Sequence, residues 1–185
     1  MNNRICKYSN TTDREKLSTL ANSHLFSFVI TIIILLFLFR LLHLAPFGKA
    51  SLACVDAYLQ YMDFFAFLKD VLTGANAISY TFSSNLGSSY IGQFAYYLSS
   101  PFNVLLLFFS KGNLYSFYDL ITALKMGLAA STFSYYAVKR FSSLKTIFVL
   151  LLSVGYGLMS YNLQQAGNTM WLDGVYMLPL ILLGV

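Results

Sequence analysis

Long uncharged apolar stretches, separated by polar or basic segments, dominate the chain and predict membrane-spanning helices. The first stretch follows a polar segment, residues 1–23, and carries no charge from residue 25 to residue 39. Its apolar character continues past Arg40, so we predict a span over residues 24–45. A cleaved signal peptide is the alternative, but the apolar core is longer than usual and no small-x-small cleavage site follows it.

Three further apolar stretches predict spans over residues 114–138, 146–163 and 174–185. The last span is incomplete, because the sequence stops within it without a polar or basic cap. We therefore expect the chain to be a piece of a longer protein; a short apolar tail lying in the membrane interface is the alternative. The whole pattern predicts an all-α, polytopic transmembrane protein.

Basic residues set the predicted orientation. Residues 1–23 carry four of them, and three more lie in residues 139–145, between the second and third predicted spans. Since cytoplasmic loops are enriched in Lys and Arg, we predict that both segments are cytoplasmic and that the protein is multi-pass in the cell membrane. Residues 46–113 then form a long extracytoplasmic loop, and about residues 162–173 form a short one.

The first half of the long loop predicts an amphipathic helix over residues 51–73, ended by Gly74. At 100° per residue, a narrow polar face centres on Asp56 and contains, within about 40°, Gln60, Asp63, Phe67 and Asp70. An adjacent apolar stripe consists of Val55, Leu59, Met62 and Ala66. Such a helix fits a membrane surface, with its carboxylates toward water or a cavity. Simple solvation of an exposed face is the alternative.

The second half of this loop contains further short elements. Residues 79–90 are rich in Ser, Gly and Asn with interleaved aromatics, which suits sugar binding or, alternatively, a plain re-entrant or surface loop. Residues 93–99 predict a short helix that is broken at Pro101. Residues 102–109 predict an apolar element that is too short to cross a bilayer.

Composition supports the membrane interpretation. Hydrophobic residues make up 57% of the 185 residues and charged residues only 10%, with a mean hydropathy of +0.63. A soluble domain carries about a quarter charged residues, which argues against a water-soluble enzyme. Cys6 and Cys54 are predicted on opposite sides of the membrane, so we expect no disulfide. The pI near 9.2 comes without a basic cluster, so we expect no nucleic-acid partner.

Five separated segments carry a resemblance to a known family. They are GKASLACVDAYLQY at 48–61, YTFSSNLG at 80–87, AYYLSSPFN at 95–103, LKMG at 124–127, and WLD at 171–173 with LPL at 178–180. In this order and spacing the chain resembles the YfhO family of bacterial polytopic membrane proteins, from about residue 25 onward. That family looks like a branch of the GT-C glycosyltransferases and has a dozen or so spans. The resemblance implies that this chain is the N-terminal portion of a GT-C-like membrane domain.

The resemblance also implies a function. GT-C enzymes take a sugar from a polyprenyl-phosphate carrier on the outer face of the membrane, and family members are linked to glycosylation of polymers such as lipoteichoic acid. The implied partners are membrane lipid, the polyprenyl-phosphate sugar donor and the surface polymer acceptor. In GT-C enzymes an acidic residue soon after the first span lies at the catalytic centre. Asp56 occupies that place here, which makes it the candidate general base.

The candidate substrate-binding residues are Gln60, Tyr61, Asp63, Lys125, Asn168, Trp171 and Asp173. Asp63 either orients an acceptor hydroxyl or helps to hold a divalent metal, and no cofactor is implied with certainty. Lys125 lies inside a predicted span, where a charge is costly. It either neutralises the carrier phosphate or pairs with a carboxylate on a later, missing span. Asp119 is a poor partner for it, because it lies about 120° away around the same helix.

The alternatives for Trp171 and Asp173 are structural, as an interface anchor and as a helix N-terminal charge. Two other functions compete with the transferase. One is a transporter or flippase for a lipid-linked saccharide, and the other is a non-catalytic scaffold in cell-envelope synthesis. The sequence shows one charge near a predicted midplane and no internal repeat, whereas transporters concentrate polar groups at midplane and contain repeats.

Overall fold

The computed structural model describes residues 2–82, 87–141 and 143–184, with side chains described from Asn22 onward. The described residues form seven α-helices: α1 (Asn2–Leu41), α2 (Met62–Leu72), α3 (Tyr90–Gln93), α4 (Leu114–Arg140), α5 (Thr146–Gly157), α6 (Ser160–Gln164) and α7 (Met170–Gly184). Shorter helical pieces are the π-helical turns Ala57–Tyr61 and Phe94–Leu98 and the 3₁₀ helices Pro101–Phe108, Lys111–Asn113 and Gln165–Gly167. This part of the chain contains no β-strand, so the predicted all-α class is confirmed.

Helix α4 lies at the centre, with α1, α5 and α7 packed around it. Small residues allow the close approach. A Cβ added at Gly127 would come within 2.9 Å of the Phe28 ring, and one at Gly157 would come within 2.9 Å of Ala130. Small residues at crossing points are typical of helix packing in membranes, where the backbones must approach closely to gain van der Waals contact.

The outward faces of the peripheral helices are apolar. Large side chains remain more than half exposed on all three, including Phe37 on α1, Leu151 on α5 and Ile181 on α7. So extensive an exposed apolar surface is unfavourable in water but compatible with contact to lipid. Two stretches in the described part are long and apolar enough to cross a membrane, residues 22–41 and 146–167.

The helix bounds differ from the predicted spans, and α1 already begins at Asn2. Helix α1 ends at Leu41, because the chain then makes a turn in which His43 has a φ of 54°. The predicted span 146–163 is divided between α5 and α6 after Gly157. The last helix begins at Met170, four residues before the predicted start. For the second span the agreement is closer, since α4 extends only two residues beyond the predicted end.

The described residues between 46 and 113 fold over the first turns of α4 and form an apolar core with it. It contains the buried side chains Tyr61, Phe65, Leu68, Leu98, Leu106, Phe117 and Tyr118. Aromatic pairs are frequent in it, including the edge-to-face contact of Phe65 with Phe117 at 5.0 Å. The predicted short helix at 93–99 is confirmed as α3 and the π-helical turn after it, and the apolar element at 102–109 is a 3₁₀ helix. Of the predicted loop 79–90, residues 83–86 lie outside the described part.

The predicted amphipathic helix 51–73 is shorter than expected, and its buried face is different. It begins at Asp56, because the residues just before it are held in a turn by contacts from α4. Val55 and Leu59 of the predicted apolar stripe are 73% and 67% exposed, so they do not pack against the rest of the protein. The π-helical turn Ala57–Tyr61 changes the phase of the helix, so that Tyr61 and Phe65 face the core instead. The end is as predicted, since Gly74 follows with a φ of 79°.

Candidate functional site

Asp56 stands at the point where the chain leaves a strained turn and enters a helix. Val55, just before it, has a φ of 49°, which is a genuine outlier for a β-branched residue. The Asp56 side chain is half-buried, and within the described ranges it forms no hydrogen bond or ion pair. Strained backbone and π-helical turns are both concentrated at functional sites, so the surroundings of Asp56 support the prediction that singled it out.

The π-helical turn places Tyr61 on the same side as Asp56. In an α-helix, residues five apart lie about 140° apart around the axis. In a π-helix the hydrogen bonds connect residues five apart, which brings such residues one above the other. The negative charge of Asp56 is accordingly felt at the phenol of Tyr61. The π-helical turn therefore brings Asp56 and Tyr61 closer together around the helix axis than the helical wheel indicated.

Tyr61 connects this helix to the turn before α7, residues 165–170. Its side chain is fully buried, and its hydroxyl donates a hydrogen bond of 2.6 Å to Oδ1 of Asn168. Edge-to-face contacts with Tyr97 and Tyr118 fix the ring. Burial raises the pKa of the Tyr61 phenol well above its ordinary value, and the nearby carboxylates of Asp173 and Asp56 add to this effect. Tyr61 is thus a neutral hydrogen-bond donor at physiological pH.

Lys125 and Asp173 form an ion pair beneath that turn. The Lys125 side chain is 1% exposed, and its Nζ lies 2.8 Å from Oδ2 of Asp173. The same ammonium donates to the backbone oxygen of Thr169 at 3.1 Å. The other carboxylate oxygen of Asp173 accepts a hydrogen bond of 2.9 Å from Ser100. Of the two roles expected for Lys125, the geometry shows pairing, and the carboxylate is on α7 of this chain rather than on a missing span.

Asp119 anchors a different segment to α4. It is fully buried, and its Oδ1 accepts hydrogen bonds from the Ser51 hydroxyl at 2.7 Å and from the Leu52 amide at 2.8 Å. As expected, it does not pair with Lys125. Its contacts hold the residues that lead into Asp56, so Asp119 contributes to the position of the candidate base through the backbone.

These contacts meet at the turn before α7, residues 165–170. Besides Asn168 and Thr169, its Ala166 carbonyl accepts a hydrogen bond of 2.8 Å from the Tyr118 hydroxyl. Side chains from α4 and from the helix that follows Asp56 therefore hold one turn from two directions. Four of the predicted site residues come together here, namely Tyr61, Lys125, Asn168 and Asp173.

The other predicted residues remain at the periphery. Gln60 is half-buried, and Asp63 and Trp171 are exposed, Trp171 to 47%. In the described part of the chain none of the three side chains takes part in a hydrogen bond or ion pair. They face outward from the cluster, as substrate-binding residues or simple surface residues would.

Sequence reasoning missed Ser100, Tyr118 and Asp119 as members of this arrangement. The Ser100 hydroxyl reaches a carboxylate 73 residues away, and such a contact leaves no local signal in the sequence. A polar residue inside an apolar stretch is a signal, and both Tyr118 and Asp119 lie near the start of a predicted span. Among the described residues, no group of three or more His, Cys, Asp or Glu side chains is arranged to hold a metal ion.

A comparison with known protein families gives a match over most of the chain. A family model described as "Bacterial membrane protein YfhO" matches residues 27–185. No curated protein and no solved structure matches this chain. The matched range includes the segment around Asp56, the whole of α4 and the turn before α7.

Proposed function

Because the chain belongs to the YfhO family of bacterial membrane proteins, we propose that it functions as a GT-C-type glycosyltransferase in the cell membrane. The reaction transfers a sugar from a polyprenyl-phosphate carrier to a cell-surface polymer, such as lipoteichoic acid, on the extracytoplasmic face. The observation that carries the proposal is the Asp56 carboxylate, which is half-buried and forms no hydrogen bond or ion pair within the described residues. A carboxylate in this condition is available to a substrate hydroxyl.

The chemistry assigns Asp56 the role of general base. The acceptor hydroxyl oxygen attacks the anomeric carbon of the sugar, and the bond from that carbon to the carrier phosphate breaks. The hydroxyl proton passes to the Asp56 carboxylate, and the polyprenyl phosphate leaves with the bonding electrons. Positioned general bases contribute about 10²–10⁴-fold to such reactions. Tyr61 is unsuited to this role, because burial keeps its phenol protonated.

The cluster around the turn 165–170 then has a supporting role. The Tyr61–Asn168 hydrogen bond joins the helix that bears the base to this turn, and Lys125 holds the turn from below. Direct neutralisation of the carrier phosphate by Lys125 would require its pair with Asp173 to open. The half-buried Gln60 and the exposed Asp63 and Trp171 are the proposed contacts for the sugar or the acceptor, and Asp63 is the proposed ligand if a divalent metal takes part.

A substitution in the cell tests the proposal. Asp56→Asn keeps the size of the side chain and removes its basicity, so we expect the sugar content of the surface polymer to fall by about 100-fold or more. Asp70→Asn is the matched control, because Asp70 lies on the same helix and pairs with Lys111 instead. Both variants must be present in the membrane at the wild-type level. Normal glycosylation by Asp56→Asn would remove this residue from the catalytic role.

The rival function is transport of a lipid-linked saccharide. Detergent-solubilised protein distinguishes the two, because a transferase forms product in detergent, whereas a flippase needs two sides of a bilayer. We expect transfer of sugar in detergent. Movement of the lipid-linked saccharide in proteoliposomes, without any transfer in detergent, would establish the transporter instead.

A further inference from the structure

If α4 spans the membrane, as its sequence predicts, its contacts indicate where the membrane boundary crosses this helix. The segment just after α1 reaches α4 at Asp119, through Ser51 and Leu52, and the turn before α7 reaches it between Tyr118 and Lys125. Both connections thus contact α4 within residues 118–125. From Asp119 to Arg140, α4 rises about 32 Å, which matches the hydrocarbon thickness of about 30 Å. The residues before Asp119 then extend beyond the bilayer.

The 3₁₀ helix Pro101–Phe108 runs beside α4 in the opposite direction. At its beginning, Ser100 bonds to Asp173 and the Phe102 ring contacts that of Tyr176 on α7 at 5.9 Å. At its end, Phe109 contacts Phe117 on α4 at 5.4 Å. The helix begins at the level of Lys125, below the boundary, and ends above it. At 2.0 Å per residue its length is about 14 Å, or about half the hydrocarbon thickness.

The two sides of this 3₁₀ helix differ sharply. Residues three apart are eclipsed in a 3₁₀ helix, so each side presents one row of side chains. The inner row, Asn103 and Leu106, is buried, and the Asn103 amide bonds to the Leu98 carbonyl. The outer surface consists of Pro101, Val104, Leu107 and Phe108, and Phe108 is 83% exposed. The one polar residue from 101 to 108 is thus turned inward.

The backbone at the upper end of the 3₁₀ helix is also satisfied by the protein. The Lys69 ammonium donates to the carbonyl of Leu106 at 3.2 Å and to the carbonyl of Phe109. Carbonyl groups at a helix end lack an intrahelical partner and need water or a side chain. A Lys in this position supplies the bonds that lipid cannot, and it places a charge at the level where water begins.

We propose that Pro101–Phe108 is the ascending arm of a re-entrant segment, and that Val104, Leu107 and Phe108 contact the acyl chains of the adjacent leaflet. The apolar outer row, the depth of its first residues beside Lys125 and the Lys69 contacts at its end all fit this position. The occupant of the surface is bulk membrane lipid. The proposal depends on α4 spanning the membrane and is independent of any transferase activity.

Tryptophan fluorescence tests the proposal directly, because Trp171 is the single Trp of the chain. In a Trp171→Phe background, Val104→Trp and Phe108→Trp each place one fluorophore on the outer surface of the 3₁₀ helix. Ala77→Trp, at an exposed position beyond α2, is the control. The purified protein is reconstituted into phosphatidylcholine vesicles with and without brominated acyl chains, and aqueous iodide is added separately.

We expect brominated lipid to quench the emission at positions 104 and 108 and iodide to leave it unchanged, with the reverse result at position 77. Quenching of 104 and 108 by iodide would place the 3₁₀ helix in water and overturn the proposal. Emission at both positions that neither quencher reduces would show that protein covers the surface, from another part of the molecule or a second copy, and would overturn it as well.

Discussion

The hydroxyl of Tyr61 lies 2.6 Å from Oδ1 of Asn168, and this contact joins two segments 107 residues apart. One segment is the helix that begins at Asp56, and the other is the turn that begins α7. Tyr61 is fully buried and Asn168 is half-buried, and a hydrogen bond of this kind is worth about 1 kcal/mol. The position of the candidate base relative to the membrane helices therefore depends on this pair.

A double-mutant cycle measures that coupling. Tyr61→Phe removes the donor and Asn168→Ala removes the acceptor, and we expect each to lower the free energy of unfolding in detergent by about 1–2 kcal/mol. Because both break the same bond, the double variant should be little less stable than either single variant. Strictly additive losses would show that the two side chains do not interact in solution.

Loss of the Lys125–Asp173 ion pair should lower the stability of the protein far more than loss of the exposed pair of Lys111 with Asp70. Lys125→Met leaves the Asp173 carboxylate without its cation, and we expect a loss of about 3 kcal/mol in stability. Lys111→Met is the control. Its expected loss is below about 1 kcal/mol, because the Lys111 side chain is 51% exposed. The double variant Lys125→Met with Asp173→Leu should recover much of the loss, because it leaves no unpaired charge. Equal effects of Lys125→Met and Lys111→Met on the melting temperature would contradict this account.

How much of this arrangement the sequence could predict depends on the range of the interaction. The limits of α4 were predictable, because charge and hydropathy change within a few residues at Lys139 and Arg140. Lys125 was recognisable as exceptional because it is a charge within an apolar stretch. Its partner was not recognisable, since Asp173 is 48 residues away and a helical wheel relates only residues of one helix. The same limit applies to the start of the helix at Asp56, which contacts from Asp119 decide.

Alkaline pH should lower the free energy of unfolding, because two buried tyrosines have raised pKa values. Burial raises the pKa of Tyr61 and of Tyr90, whose hydroxyl donates to the Phe64 carbonyl at 2.7 Å. Above about pH 10 the unfolded chain releases these protons while the folded protein keeps them, so the free energy of unfolding falls as the pH rises. We expect the melting temperature to fall between about pH 9 and 11, and less steeply in Tyr61→Phe and Tyr90→Phe. An exposed tyrosine, Tyr58→Phe, is the control, and identical slopes for all three variants would contradict the assignment.

Asp119 should control the order of the segment that leads into the candidate base. Asp119→Ala leaves the Ser51 hydroxyl and the Leu52 amide without their acceptor, at a cost of about 1–3 kcal/mol. We expect faster hydrogen exchange over residues 46–56 and slower sugar transfer. Asp119→Asn keeps one acceptor oxygen and should restore much of the protection. Unchanged exchange in Asp119→Ala would show that this segment is held by other contacts.

The central claim is that Asp56 acts as the base in sugar transfer, and the rate of that step in purified protein tests it most directly. The assay supplies a polyprenyl-phosphate sugar and an acceptor polymer in detergent, and compares wild type with Asp56→Asn and Asp63→Asn. We predict that Asp56→Asn lowers kcat by about 10²-fold or more, while Asp63→Asn changes mainly KM. A wild-type kcat in folded Asp56→Asn protein would contradict the account.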